Sequence, residues 1–340
     1  MSSELPQNSA DSSPSSLDSR EPLLAELVAQ RTATVERQRR GTVQRRVALF
    51  LFVATCASTL LAGSHLPEII ADCAQVKLMT GSVPAKHIPS WPRVVEMLLD
   101  GLLYSICLMT ILGLHEMGHY IQTRRYGVPA SLPFFIPMPI GPIGTLGAVI
   151  GMRPGVGDRK AIFDIGISGP LAGLVPTLIF CVIGLQQATH GPVHPLAMSF
   201  GDPLLLQFLA LQKFGPLPEG HDVILNPILF AGWVGLLITS LNLIPIGQLD
   251  GGHILYALLR KKARPVASFL LITAGIAAGV AWVVYQYHVW VLMVFLLFMM
   301  GPAHPPTAND DAPLGPWRVV LGWLTLAFVF IGFTPMPFRF

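Results

Sequence analysis

Charge is what this chain has least of. Only 12% of its 340 residues are Asp, Glu, Lys or Arg, about half the share usual in soluble domains. With a mean hydropathy of +0.59 and several uninterrupted apolar runs, an ordinary water-soluble fold is excluded and a polytopic membrane protein is indicated. Cysteine is scarce too. Cys56, Cys73, Cys107 and Cys181 share no metal-ligand spacing, and three of them fall in apolar runs, where a free thiol is a small buried hydrophobe. That removes both a disulfide framework and a cysteine-based metal site. The net charge of +3 reflects where topology puts cations, and in the absence of any nucleic-acid motif no nucleic-acid partner is expected.

Residues 1–46 differ from everything after them. They are polar and Ser-rich and end in a basic stretch holding Arg31, Arg37, Arg39, Arg40, Arg45 and Arg46. This composition predicts a disordered or partly helical basic cytoplasmic tail. The apolar region begins too late for a secretory signal, and Glu4, Asp11, Asp18 and Glu21 are acids that organellar transit peptides avoid. Six apolar spans follow, at about 47–63, 94–121, 163–185, 228–249, 266–287 and 317–333. A further run at 289–301 has only about thirteen residues, fewer than the roughly twenty needed to cross unaided, and reads as a short span or a re-entrant piece. The fold class is therefore all-α and polytopic, with about six to seven transmembrane helices in a lipid bilayer.

Basic residues orient the spans. The arginines before the first span put the N-terminus in the cytoplasm. Arg124 and Arg125 after the second span, Arg153, Arg159 and Lys160 before the third, and Arg260, Lys261, Lys262 and Arg264 after the fourth fall on that same side. The segments 64–93 and 186–223, assigned outside, are poorer in Lys and Arg. A bacterial inner membrane is the expected location.

Within the second span lies His115-Glu116-Met117-Gly118-His119. Residues four apart on a helix sit about 40° apart around its axis, so both imidazoles can grip one ion while Glu116 reaches a water held by it. Each ionisable residue in a membrane helix costs about 3 kcal/mol to insert and is rarely kept without a use. Two histidines and an adjacent carboxylate are the parts of a zinc hydrolase, in which Glu116 is the general base. A catalytic zinc takes three protein ligands, and Asp250 is the expected third, at the inner end of the fourth span in NLIPIGQLDGGH. His115 lies nine residues before Arg124 and Asp250 ten before Arg260, about 14 Å and 15 Å in from their cations if the helices are straight. His253 is a rival ligand, more readily read as lying behind or beside the site, and His304 reads as a solvated loop residue. His65, His87, His190, His194, His221 and His288 fall in or beside outside segments. Asn242, about two turns before Asp250 on what reads as the same helix, either bonds a neighbouring helix or steadies an oxyanion.

The apolar stretch 131–152 is long enough to span but holds Pro133, Pro137, Pro139 and Pro142 with Gly141, Gly144, Gly147 and Gly151. No helix survives that density of breakers. A small re-entrant β-like hairpin beside the site is expected, its free edge able to hold an extended peptide by strand addition.

HEMGH in one span and NLIPIGQLDGGH in a later one resemble the paired signatures of the site-2 protease family of intramembrane zinc metalloproteases. Phe163-Asp164-Ile165-Gly166-Ile167-Ser168-Gly169-Pro170-Leu171-Ala172-Gly173 is similar to the Gly-Pro-containing segment of the helix between them. A weaker similarity reaches His304-Pro305-Pro306-Thr307. The Gly144-Thr145-Leu146-Gly147-Ala148 stretch, with no PDZ-like insertion, resembles the branch of plant chloroplast members and their bacterial relatives. The resemblance implies that one Zn²⁺ per chain is bound by His115, His119 and Asp250, that Glu116 is the base, that Asn242 lies near the scissile bond, and that the substrate is a transmembrane protein. His253 departs from the arginine common in this branch. The expected organisation is then a tail (1–46), a first transmembrane helix and external loop (47–93), a catalytic membrane core (94–265) and C-terminal transmembrane helices (266–340). The alternative is a membrane metal or proton transporter using the same His/Asp site. Against it, transport gives Glu116 no reason to sit beside His115, and no inverted repeat is evident.

Overall fold

The structure is a computed structural model in which residues 20–80, 82, 84, 88–153, 155–192 and 199–339 are described. The first 19 residues of the expected tail, His87 and His194 lie outside them. The chain divides into two compact units, Met1–Val47 and Ala48–Phe340. In the first, the described residues are helical from Arg20 onward, where helix α1 (Arg20–Gly63) begins. The second holds the rest of α1 and everything that follows.

Breakers divide that second unit into short and long helices. After α1 come α2 (Leu66–Thr80), α3 (Trp91–Arg125), α4 (Arg159–Gln187), α5 (Leu204–Phe214), α6 (Pro227–Asn242), α7 (Asp250–Leu259), α8 (Ala263–Tyr285), α9 (Val289–Met300) and α10 (Pro316–Gly332). Four stretches are long and apolar enough to cross a membrane: Gly41–Gly63, Trp91–Arg125, Arg159–Gln187 and Asp250–Tyr285. α5, α6, α9 and α10 are shorter apolar helices. α6 is apolar on every side, and such a helix belongs in the interior. It packs against α3 and α4 with Ala231, Trp233, Val234 and Leu236 fully buried. Gly232 lets it approach closely, since a Cβ there would lie 2.8 Å from Cys181 Sγ on α4.

One span departs from expectation. Residues 228–249 do not form one helix. α6 ends at Asn242, residues 243–249 form a turn, and α7 starts at Asp250. Pro245 has no N–H to continue the helical ladder, and Gly247 holds a left-handed φ of +59°. Asn242 and Asp250 are thus the end of one helix and the start of the next.

The breaker-rich stretch forms the expected hairpin. Strand β1 (Phe134–Pro137) pairs antiparallel with β2 (Thr145–Val149), matching Phe134 to Val149 and Phe135 to Ala148. Tyr104 of α3 ties the hairpin down by donating to the Ile143 carbonyl at 2.8 Å. Two further antiparallel pairs are absent from the sequence reading: β3 (Thr189–Pro192) with β5 (His221–Ile224), and β4 (Ser199–Phe200) with β6 (Phe338–Arg339). They are too short for a periodicity to register.

Hydrogen bonds mark the two ends of the bundle. At one end, Arg159 donates to the carbonyls of Ala257 and Leu258 at 2.6 and 3.3 Å, and its backbone N–H donates to Asn309. At the other end, Lys213 donates to the carbonyls of Leu185, Gln186 and Ala188, within 2.6–2.9 Å. The last carbonyls of a helix have no partner within it, and at the α4 C-terminus one ammonium supplies three bonds.

Candidate active site

α3 carries His115, Glu116 and His119 inward; each is at most 8% exposed. The two rings stand edge to face with centroids 4.9 Å apart, an approach that four-residue spacing on one helix allows. Asp250 meets them from the first turn of α7. Its Oδ2 is 3.1 Å from His115 Nε2 and its Oδ1 is 3.3 Å from His119 Nε2. The two Nε2 atoms are 3.2 Å apart. Among the described residues, these three form the one group with metal-ligating geometry, all donor atoms within 4.8 Å of one another. His253 stands outside it.

The chemistry of this donor set fits a cation. His119 Nδ1 is 2.7 Å from the Ile165 carbonyl of α4, and a carbonyl only accepts, so that nitrogen carries the ring proton. In its neutral form the ring then presents its lone pair at Nε2, toward His115 Nε2 and a carboxylate oxygen. Lone pairs converging on one point repel unless a positive charge sits among them, which suits a divalent ion held by nitrogen and oxygen donors.

α4 contributes closely approaching backbone. A Cβ at Gly169 would lie 2.0 Å from His119 Nε2, one at Gly173 3.1 Å from His115 Cβ, and one at Gly166 2.8 Å from His253 Cβ. Three glycines on one face let the histidines of two helices lie against α4. Behind them, Asp164 pairs with Arg318 of α10 at 2.7 and 3.0 Å and accepts from the Tyr126 hydroxyl, fixing α4 next to Ile165. The sequence reading singles out the Gly-Pro segment through its resemblance. It misses the Ile165 carbonyl, because a backbone group leaves no trace in residue identity.

A cavity of about 230 Å³ opens in front of these groups, lined among others by Glu116, Asn242, Val149 and His253. Asn242 Nδ2 lies 3.4 Å from His115 Nε2, so it borders the donor cluster from the end of α6 and not from the helix of Asp250. β2 forms the facing wall through Ala148 and Val149. His304 is a correction: it is half-buried, with Nε2 2.6 Å from His253 Nδ1, where the sequence reading has it solvated. Burial holds its imidazole below the usual range. The two residues of the pair are 51 positions apart, a sequence distance that no local pattern reveals.

Residues 103–285 match the profile of Peptidase family M50. The chain is 32% identical over 250 residues to a probable zinc metalloprotease EGY2, chloroplastic, of Arabidopsis thaliana, covering 72% of this chain and 44% of that protein. A probable zinc metalloprotease EGY1, chloroplastic, of the same plant is 26% identical over 304 residues, covering 85% of this chain and 53% of its own length. A probable zinc metalloprotease EGY3, chloroplastic, of Oryza sativa subsp. indica is 30% identical over 238 residues, 65% of this chain and 39% of that protein. The chain thus spans about half the length of these relatives or less. No solved structure matches.

Proposed function

The chain belongs to peptidase family M50, and from that premise we propose that it is an intramembrane zinc metalloprotease, hydrolysing peptide bonds within or next to transmembrane segments of other proteins. The observation that carries the reading is the convergence of His115, His119 and Asp250 beside buried Glu116. One Zn²⁺ per chain would be held by His115 Nε2, His119 Nε2 and an Asp250 carboxylate oxygen; when bound, it lowers the pKa of a water and polarises the scissile carbonyl.

The protein's own groups do the rest. Glu116 takes the proton of the attacking water on its carboxylate and delivers it to the leaving amine. The Ile165 carbonyl holds His119 in the tautomer that presents Nε2. The Asn242 amide offers N–H donors toward the oxygen that gains charge as water adds. The substrate must be extended for its carbonyl to be attacked, because a helical segment hides its backbone, and the edge of β2 can receive such a strand.

The proposed setting is a bacterial inner membrane with the N-terminus in the cytoplasm. The cations Arg124, Arg125, Arg159, Lys160 and those of 260–264 favour a cytoplasmic face at the end where α3 stops and α4 starts.

Glu116→Gln is the deciding experiment. The amide keeps the size of the side chain but is no base near neutral pH, and loss of one general base costs about 10² to 10⁴ in rate. The variant, reconstituted with a single-span substrate, is expected to hold zinc and leave the substrate uncut. Wild-type cleavage by this variant would remove Glu116 as the base. Metal flux that survives in a preparation that never cuts protein would favour transport.

A further inference from the structure

Beyond the donor cluster lies a second hydrogen-bonded pair of imidazoles, His253 of α7 and His304 of the loop after α9. His304 Nδ1 is 2.5 Å from the Pro305 carbonyl. That oxygen can only accept, so Nδ1 carries the proton and Nε2 carries the lone pair of a neutral ring. His253 Nδ1, 2.6 Å from that Nε2, is then the donor of the pair. The neutral His253 ring is left with its lone pair on Nε2, and His253 is among the residues that line the active-site cavity. Burial, which keeps His304 below the usual imidazole range, favours the neutral ring this assignment needs.

His304 is held for the purpose. The Tyr256 ring stacks on it at 4.3 Å and 16°, and Tyr256 in turn donates to Asp310 at 2.9 Å. Thr307 donates to the same carboxylate at 2.6 Å. The loop's entry is pinned at Gly247, where any Cβ would lie 2.5 Å from the Gly301 carbonyl oxygen.

His304 also borders a separate surface cavity of about 420 Å³, so the pair could pass for a proton path between the two. The Pro305 carbonyl closes that path, since it neither releases nor keeps a proton. The pair orients and does not conduct.

We infer that His304 is a positioning residue that fixes His253 as a hydrogen-bond acceptor in the active site, and that the bond His253 Nε2 accepts there comes from a backbone N–H of the extended substrate. His253 lies outside the three-donor metal cluster and lines the cavity, and among the described residues no hydrogen bond is made to its Nε2, which leaves that lone pair for what enters the cavity. This role rests on the protease reading above.

The test uses the full-length, zinc-loaded protein with ring-¹⁵N histidine. The His253 signal is expected to show Nε2 unprotonated in the wild type and a mixture of tautomers in His304→Ala. With a single-span substrate, His304→Ala should raise KM about threefold to tenfold, the worth of one ordinary hydrogen bond, with kcat nearly unchanged and zinc retained. His304→Gln, whose amide oxygen can accept from His253 Nδ1, should restore most of the loss. A wild-type His253 protonated on Nε2 would overturn the inference. So would a folded His304→Ala protein with wild-type KM, or a Gln variant no better than Ala. If instead Glu116→Gln cleaves normally, the protease reading fails, and the ¹⁵N signal still reports whether His304 sets the tautomer of His253.

Discussion

The two clustered histidines depend on atoms that are not side chains. His119 is aimed by the Ile165 carbonyl and lies on Gly169, where a methyl group would sit 2.0 Å from its Nε2. Gly169→Ala must therefore rotate the ring or push α3 off α4. We expect zinc affinity to fall about 10- to 100-fold, the scale of disturbing a ligand's support, measured by competition with a chelator of known affinity. Unchanged affinity in the folded variant would mean that the ring has slack the geometry does not suggest. Just past the C-terminal end of α3, Tyr126 gives a pH prediction. Burial and then its bond to Asp164 push the phenol up to about 12, above an unfolded value near 10. A raised folded value means that its contribution to stability is whole below about pH 10 and is lost as pH rises through about 12. A phenolate absorbance titration, with Tyr126→Phe subtracted, should find this tyrosine ionising later than an exposed one.

At the level of elements, the hairpin and the α6–α7 turn decide the site. A proline at Val149 removes a donor from β2, so Val149→Pro should depress cleavage while zinc content stays normal; wild-type cleavage would make β2 a wall and nothing more. The hairpin was legible because four prolines and four glycines in 131–152 forbid a helix, and the donor cluster because His-x-x-x-His spacing has one geometric meaning. The α6–α7 turn was written in Pro245 and Gly247, yet the long apolar run around them masked it. Depth arithmetic still brought Asp250 to His115, because α7 itself is a ten-residue helix running from Asp250 to the basic turn. His304 was illegible for another reason: its neighbour is 51 residues away, and nothing in either local pattern names the other.

Across the whole molecule, α10 is tied to α4 by the Arg318–Asp164 fork, with the carboxylate side chain 17% exposed. Arg318→Met leaves that carboxylate short of its two charged bonds, and each such loss costs about 1–3 kcal/mol. Denaturation in detergent should show the destabilisation, and Asp164→Asn in the same background should recover part of it. The loop 301–315 stitches just as widely. Ala308 N–H bonds to Gly157 O and Asn309 O accepts from Arg159, while Asp310 and His304 hold α7. These bonds limit how the molecule can be dissected. The family match ends at residue 285, but a fragment cut there would bare the Arg159 end of α4 and the flank of α7 together. On the proposed function, the smallest piece able to act as a protease is thus longer than the stretch that shows the family, and trimming from the C-terminus should abolish zinc retention before it reaches His115, His119 or Asp250.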